Sequence, residues 1–304
     1  MLNNIKVALL YGGESTERDI SIKSGKAVEE ALKNLNIPYK VFDPVEKDSF
    51  IEKIRQFNPD VVFIALHGKG GEDGTIQGVL DFLGYRYTGS PMKASAVAMD
   101  KGLTKDILKG YGIRVPEGMT FFTVEEALSV NPDFPVVVKA ANQGSSIGVY
   151  ISKDKEEYRK HIHEAFSLDN KVIVEEFIEG REITVGILNG KPLDIIEIKV
   201  EKGFYDFENK YFTDKTRYIC PAEIEEKIYK RIQETALRCY QIIGCKGAAR
   251  VDFILKQDKE YFLEINTIPG LTDHSLLPKA ALCKGITFEK LIEEILKDGL
   301  QKES

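Results

Sequence analysis

Short apolar runs alternate with stretches of helical apolar spacing over the first ninety residues. The predicted strands are residues 5–11, 39–42 and 60–66, and the predicted helices are residues 24–35, 50–57 and 77–83. This β-α-β-α-β order predicts a parallel sheet, in which ligands bind beyond the carboxyl ends of the strands. A short strand at residues 85–88 and the turn Gly89-Ser90-Pro91 are expected to close the domain.

The remaining two thirds of the chain mix strands and helices. We predict strands at residues 135–138, 172–178, 182–188, 193–200, 250–255 and 261–266, and helices at residues 94–109, 154–168, 223–243 and 287–296. Asn189-Gly190 predicts a hairpin turn, and Gly244 predicts the end of a helix. Residues 203–217 are polar and aromatic without a clean period, which indicates a long loop. Such loops are functional or disordered, and the aromatic residues favour a functional loop.

The last predicted hairpin carries polar side chains on one face. If its turn centres on Asp258, then Asp252 lies opposite Glu264 and Arg250 lies opposite Asn266. Hard oxygen ligands of this kind suit Mg²⁺. The alternative is a pair of surface carboxylates that form a salt bridge with Arg250. The third oxygen of Asn266 and the Pro-Gly turn that follows the strand favour the metal site.

A glycine- and serine-rich loop follows the predicted strand at residues 135–138. Lys139 stands at the end of that strand, and the loop at residues 142–148 then turns back into another strand. Backbone N–H groups of small residues can wrap phosphate oxygens, and a lysine supplies a compact positive charge. The alternative is a plain flexible hairpin turn.

The first strand leads into the turn GGESTERDIS, which contains Glu17. Neither GxGxxG nor GxxxxGK[ST] occurs there, so a dinucleotide or P-loop fingerprint is absent from this turn. Glu17 could simply favour the N-terminus of a helix. The second long turn, ALHGKGGEDGTIQG at residues 65–78, places His67 at the same edge of the sheet.

Composition narrows the class of protein. With 304 residues, 43% of them hydrophobic and 30% charged, the chain suits a soluble protein of two or three domains. The net charge of −6 argues against a nucleic-acid partner. No apolar run approaches the roughly 18 residues that span a bilayer, and no signal peptide is apparent, so we expect a cytoplasmic protein. The four cysteines lack metal spacing and are expected to be reduced.

Together these motifs resemble the D-alanine–D-alanine ligases of the ATP-grasp superfamily. The similarity rests on GGESTERDIS, the loop at residues 142–148, Arg250-x-Asp252, Glu264-x-Asn266 and the run PGLTDHSL from Pro269, in the family's order. The resemblance implies an α/β fold that is α+β in the ATP-grasp part. It divides the chain into an N-terminal substrate-binding domain at 1–90, a central ATP-grasp subdomain at 91–179 and a C-terminal one at 180–304.

The resemblance also implies roles for individual residues. Those of catalysis and substrate binding are Glu17, His67, Ser145, Tyr211, Arg250, Gly270, Ser275 and Leu276. Those around ATP are Lys101, Lys139, Ser146, Glu175, Glu176, Ile178, Glu182 and Lys210. Asp252, Glu264 and Asn266 would hold two Mg²⁺, with Mn²⁺ as a substitute. Glu176 departs from the lysine often found beside the adenine, which puts a side-chain contact to the base in doubt.

The implied reaction joins two D-alanine molecules through an acyl phosphate made from ATP, for peptidoglycan synthesis, in a homodimer without nucleic-acid or membrane partners. The first alternative is an ATP-grasp ligase of another carboxylate and amine. It would share the ATP and metal groups but lack the Glu17 and His274-Ser275-Leu276 matches. The second alternative is a nucleotide-sensing protein that has lost turnover and with it one of Arg250, Asp252, Glu264 or Asn266. All four are present.

Overall fold

A three-stranded parallel sheet forms the N-terminal part of the computed structural model, which describes residues 2–200 and 216–301. Its strands are β1 (Val7–Leu10), β2 (Tyr39–Phe42) and β3 (Val61–Ile64), in the order β2-β1-β3. All four residues of β1 and of β3 are buried, which explains their continuous apolar runs. The predicted parallel sheet is therefore confirmed.

Three helices connect and cover this sheet: α1 (Arg18–Asn34), α2 (Lys47–Phe57) and α3 (Thr75–Phe82). Helix α1 begins six residues earlier than predicted. Its first turns bury small and polar residues such as Ser21, Ser24 and Gly25, so they show no large apolar period. The strand predicted at residues 85–88 is wrong, because only an isolated bridge between Val62 and Tyr87 forms there.

The single helix predicted at residues 94–109 is two helices, α4 (Met92–Met99) and α5 (Lys101–Gly110). Asp100 separates them with an extended backbone and accepts a hydrogen bond of 2.9 Å from Leu103 N. This is an N-cap, which starts α5 afresh. Lys101 consequently lies on the first turn of α5 and not in the middle of a long helix.

The central sheet is antiparallel and has the order β4-β7-β5-β6. Its strands are β4 (Gly118–Phe121), β5 (Val136–Ala140), β6 (Val149–Ser152) and β7 (Val172–Glu176). Helices α6 (Val124–Ser129) and α7 (Lys155–Leu168) pack against it through buried residues such as Ala127, Tyr158 and Ile162. Strand β4 and helix α6 were not predicted, because both are short.

The C-terminal sheet is antiparallel, in the order β10-β9-β8-β11-β12. Its strands are β8 (Arg181–Leu188), β9 (Lys191–Val200), β10 (Thr216–Ile219), β11 (Ala248–Lys256) and β12 (Lys259–Asn266), and its helices are α8 (Glu226–Ile243), α9 (Leu276–Cys283) and α10 (Phe288–Gln301). Positive φ angles at Asn189, Gly190 and Gly244 confirm the predicted turn and helix end. Helix α9 and strand β10 were not predicted. Residues 216 and 217, expected at the end of the loop 203–217, belong to β10, and residues 203–215 of that loop lie outside the described residues.

One hydrophobic core joins the two ends of the chain. Buried residues of the N-terminal sheet and α1, including Leu9, Val28 and Phe63, belong to the same cluster as Leu277 of α9 and Ile292 of α10. The carboxyl edge of the parallel sheet is thereby held beside the hairpin formed by β11 and β12. Residues 90 and 179 fall between the three sheets, and the division into three domains stays a prediction.

Two of the four cysteines form a disulfide, between Cys220 and Cys283, with a Cα–Cα distance of 6.3 Å. The expectation that all four are reduced is wrong for this pair. The two residues are 63 positions apart and meet only because α9 packs near the end of β10, which no spacing rule detects. Cys239 and Cys245 are free, and burial raises the pKa of each thiol to about 12.

Within the described residues, no helix is long and apolar enough to cross a membrane.

Candidate active site

The predicted register of the β11–β12 hairpin is confirmed. Asp252 pairs with Glu264, and Arg250 pairs with Asn266, with a bulge immediately after Asp252. Both strands therefore present their polar residues on one face, as side-chain alternation requires. This face borders a cavity of about 80 Å³ between the parallel sheet, the glycine-rich loop and the hairpin.

Asp252 is held in place by two neighbours. Arg250 Nε lies 2.9 Å from Asp252 Oδ1, and Arg250 Nη2 lies 2.8 Å from Oδ2. Thr184 of the adjacent strand β8 donates its hydroxyl to Asp252 Oδ1 at 2.5 Å. A fork of this kind fixes the orientation of a carboxylate more firmly than a single contact does.

Glu264 faces Lys101, whose Nζ lies 3.3 Å from Glu264 Oε2 and donates to Gln143 O at 2.6 Å. Within the residues described, no three His, Cys, Asp or Glu side chains cluster as a metal site. The hairpin instead offers two carboxylates and the amide oxygen of Asn266. This all-oxygen donor set, balanced here by Arg250 and Lys101, fits Mg²⁺ bound together with phosphate.

The glycine-rich loop contacts Glu17, the residue immediately before α1. The Ser145 hydroxyl donates to Glu17 Oε1, and a β-carbon at Gly144 would lie 2.5 Å from Glu17 Oε2. Ser145 and Ser146 both have positive φ, a strained conformation that often marks a binding loop. The loop therefore approaches Glu17 closely only because residue 144 is a glycine.

Glu17 is 7% exposed, and burial raises the pKa of its carboxyl above the ordinary value of 4.5. The negative charge of Glu72 raises this pKa further, whereas Ser145, His67 and Lys101 act in the opposite direction. A cationic partner stabilises the ionised form of a buried carboxylate whose pKa is raised in this way. An ammonium group is such a partner.

His67 lies behind Glu17 in a buried chain of polar groups. Its Nδ1 lies 3.2 Å from Glu72 Oε1, and its Nε2 lies 2.9 Å from Ser24 Oγ. Ser15 donates its hydroxyl to His67 O at 2.6 Å, which fixes the backbone of the second turn. The predicted convergence of the two N-terminal turns on one site is visible in these contacts.

A second group of charged side chains comes from strands β5 and β7 of the central sheet and from helix α5. Glu175 is 3% exposed and pairs with both Lys139 and Lys105. Burial opposes ionisation of Glu175, but the two ammonium groups outweigh it and lower its pKa. Burial also lowers the pKa of Lys105 to about 8. Two lysines against one carboxylate favour an anionic ligand such as a phosphate.

The turn after β12 brings backbone N–H groups to the cavity. Ser275 Oγ accepts from Thr272 N at 3.0 Å, and Ile268 N donates to Asn266 Oδ1 at 2.9 Å. A β-carbon at Gly270 would lie 2.7 Å from Ser275 Oγ, so a larger residue there would displace the Ser275 hydroxyl. Ser275 is also the residue before α9, whose N-terminus favours a carboxylate.

The structure brings ten of the predicted residues to this one cavity. They are Glu17, His67, Lys101, Ser145, Arg250, Glu264, Asn266, Gly270, Ser275 and Leu276. Asp252 adjoins it through Arg250.

Other predicted residues lie away from this cavity. Glu176 accepts from Glu117 N at 3.0 Å, so its side chain supports the sheet edge. Ile178 is buried, and Glu182 is half-buried on β8. Lys210 and Tyr211 fall outside the described residues.

Sequence reasoning missed Lys105, Glu72 and Ser24. Lys105 follows Lys101 by four residues and so shares its helix face, a signal that was present in the predicted helix at residues 94–109. Glu72 lies in the segment 65–78 that was singled out, but its neighbours do not distinguish it from a surface carboxylate. Ser24 carries no local signal.

The chain has a parallel-sheet part followed by two antiparallel sheets, and lysines, a glycine-rich loop and an oxygen-rich hairpin surround one cavity. This combination defines an ATP-grasp ligase. Comparison with known proteins narrows the class. Family models described as D-ala D-ala ligase N-terminus and C-terminus match residues 39–90 and 117–297. The chain belongs to the D-alanine–D-alanine ligase family.

Individual relatives agree along nearly the whole chain. The D-alanine–D-alanine ligase of Syntrophotalea carbinolica is 44% identical over 97% of this chain and 96% of its own length. That of Aquifex aeolicus is 44% identical over 96% of this chain and all of its own.

Solved structures give the same result. The Bacillus anthracis ligase complexed with ATP superposes with a TM-score of 0.85 at 35% identity, covering 98% of this chain and 97% of its own. The VanG D-Ala:D-Ser ligase of Enterococcus faecalis gives a TM-score of 0.84 at 30% identity, covering 97% and 99%. The fold class predicted from the sequence is confirmed.

Proposed function

We propose that this chain ligates two D-alanine molecules to D-alanyl-D-alanine with ATP, for peptidoglycan synthesis. The observation that carries the proposal is the single cavity that joins Glu17, Arg250, Glu264 and Ser275 in a chain of this family. A buried carboxylate for an ammonium, an oxygen-rich face for metal-bound phosphates and a helix N-terminus for a carboxylate are the three parts that this ligation requires.

In the first step, a carboxylate oxygen of the first D-alanine attacks the γ-phosphorus of ATP, and ADP leaves. Glu17 binds the ammonium of that D-alanine, and His67 lies beside it. Lys101 and Lys139 place positive charge along the phosphate chain. Positioning and charge neutralisation are the main contributions of a protein to phosphoryl transfer.

In the second step, the amine of the second D-alanine attacks the acyl carbon, and inorganic phosphate leaves. Arg250 and Gly270 N–H stabilise the oxyanion of the tetrahedral intermediate. Ser275 and Leu276 N bind the carboxylate of the second D-alanine. Ser145 holds the Glu17 side of the site. The family resemblance assigns Tyr211 to the same side and Lys210 to the γ-phosphate, and both lie outside the described residues.

Asp252, Glu264 and Asn266 would hold two Mg²⁺, or Mn²⁺ in their place, and the bound metal would neutralise phosphate charge. Ser146 contributes to the phosphate loop, and Glu175, Glu176, Ile178 and Glu182 lie along the nucleotide. The proposal extends to a cytoplasmic homodimer, organised as domains at 1–90, 91–179 and 180–304.

The test is phosphate release from Mg-ATP with D-alanine, with L-alanine and with neither, with the product identified by mass. Release only with D-alanine, together with a dialanine mass, supports the proposal. Because a D-Ala:D-Ser ligase is among the structural neighbours, a further sample contains D-alanine and D-serine together. Phosphate release with another amino acid alone would support an ATP-grasp ligase but contradict D-alanine as its substrate. ATP binding without release would favour a nucleotide sensor.

We expect the acid limb of kcat/KM for the first D-alanine to lie above pH 4.5, the ordinary pKa of a glutamate. The ionised form of Glu17 binds the ammonium, and burial and Glu72 raise the pKa at which that form appears. Activity is therefore full above the raised pKa and falls as the pH drops through it. The Glu72→Gln variant removes one raising charge and should move the limb to lower pH. The measurement is a pH profile of kcat/KM for both proteins.

An unchanged limb in the Glu72→Gln variant would contradict the assignment of the limb to Glu17. Glu29→Gln serves as the control. Glu29 lies on α1 and accepts a hydrogen bond from Tyr39, but it is outside the cavity, so its loss should leave the limb in place.

A further inference from the structure

Ser24 joins two parts of the site that are 247 residues apart in sequence. It is fully buried on α1, and its Oγ lies 2.9 Å from His67 Nε2. Leu271 N donates to the same oxygen at 3.2 Å. A chain of hydrogen bonds therefore runs from the turn after β12, through Ser24 and His67, to Glu72.

The direction of this chain follows from counting protons. The ionised Glu72 carboxylate can only accept, so His67 Nδ1 carries the proton of that bond. In the neutral ring Nε2 is then an acceptor, and the Ser24 hydroxyl, which accepts from Leu271 N, donates its own proton to it. Each group in the chain is thereby satisfied, and the tautomer of His67 is set by Ser24 on one side and Glu72 on the other.

The bond to Leu271 N restrains the peptide plane between Gly270 and Leu271. Gly270 has the freest backbone in this turn because it lacks a β-carbon. A β-carbon at this position would lie 2.7 Å from Ser275 Oγ, so a stiffer residue would displace the Ser275 hydroxyl from the site. The restraint on this peptide must therefore come from another element, and Ser24 of α1 provides it.

We propose that Ser24 is a positioning residue for the ligation. It holds Leu271 N and thereby fixes the adjoining Gly270, whose own N–H stabilises the oxyanion, relative to His67 on the first-substrate side. The inference rests on the proposed function. This link fixes the position of the turn after β12, which acts in the second step, relative to the site that binds the first amino acid.

The test compares Ser24→Ala with Ser21→Ala. Ser21 is a matched control because it is fully buried on the same helix and also makes two hydrogen bonds, from Gly12 N at 2.9 Å and to Ala65 O at 2.8 Å. Ser24→Ala should lower kcat by about 10- to 100-fold, the effect of a small misplacement of reacting groups. Its KM for ATP should not change. Ser21→Ala should lose similar thermal stability while keeping its kcat.

A double-mutant cycle separates positioning from structural support. Ser24 and Glu72 do not touch, so their effects on kcat combine only through His67. At a pH above the acid limb, Ser24→Ala with Glu72→Gln should lose no more kcat than the worse single variant. Fold losses that multiply, or equal losses in Ser24→Ala and Ser21→Ala, would overturn the proposal.

Amide hydrogen exchange at Leu271 gives a readout that does not depend on turnover. Exchange should accelerate in Ser24→Ala and not in Ser21→Ala, and unchanged exchange would overturn the restraint. If the wild-type protein forms no dipeptide, the proposed function fails. If the wild type turns over and Ser24→Ala keeps the same kcat, only the positioning role of Ser24 is overturned.

Discussion

Glu264→Gln is expected to reduce dipeptide formation by about 1,000-fold or more, because several kcal/mol of charge stabilisation are lost with a metal ligand. Glutamine keeps the shape of the side chain and an oxygen for Lys101, 3.3 Å away, so the fold should remain intact. The residual activity should require a higher Mg²⁺ concentration. Initial rates across a Mg²⁺ titration, with a thermal melt of each protein, measure both effects.

Asp258→Asn is the matched control for this substitution. Asp258 lies in the turn of the same hairpin, is exposed, and does not border the cavity. The Asp258→Asn substitution removes one negative charge from the same hairpin but away from the cavity. The variant should therefore have the activity and Mg²⁺ requirement of the wild type. Near-normal activity of Glu264→Gln would contradict the metal assignment.

The register of this hairpin is the part of the site that the sequence predicts best. Two apolar runs of similar length flank a polar turn, and side-chain alternation then places Asp252 opposite Glu264 without any long-range information. The buried runs of β1 and β3 are predicted equally well, because a strand covered on both faces is apolar throughout. Both features depend only on neighbours along the chain.

The features that sequence did not predict depend on contacts between distant segments. The start of α1 is hidden because its buried face uses Ser21, Ser24 and Gly25, which pack against turns of the sheet. The Cys220–Cys283 disulfide joins the end of β10 to α9, a helix that was itself not predicted. In each case the deciding partner is supplied by the fold and not by the local pattern.

The cavity is built the same way. Lys105 looks like an ordinary helix lysine until Glu175 of β7 is placed against it, and burial then lowers its pKa to about 8. Glu17 resembles an ordinary carboxylate at a helix start until the loop of the central sheet places Ser145 and Gly144 beside it. The sequence shows which residue types are present. Their pKa shifts and charge pairs, which suit them to a ligand, arise only where the three sheets come together.

Arg250→Lys is expected to lower kcat by about 100- to 1,000-fold, the range for loss of an oxyanion donor. A guanidinium can hold a carboxylate with one edge and donate from another, whereas an ammonium is a point charge without that fixed geometry. Arg250 uses Nε and Nη2 on Asp252, at 2.9 and 2.8 Å, so lysine should also loosen Asp252. Single-turnover and steady-state rates of dipeptide formation, with ATP affinity measured separately, check this expectation.

Arg231→Lys provides the matched control, because Arg231 makes a similar fork outside the cavity. Its Nε and Nη2 lie 3.2 and 3.0 Å from Oε2 of the buried Glu260. Loss of that fork should lower the free energy of unfolding by about 1–3 kcal/mol, as for hydrogen bonds to charged groups, and leave kcat unchanged. If both variants keep their turnover, Arg250 is only a structural partner of Asp252. If both lose it equally, the effect comes from the stability of the hairpin and not from the oxyanion.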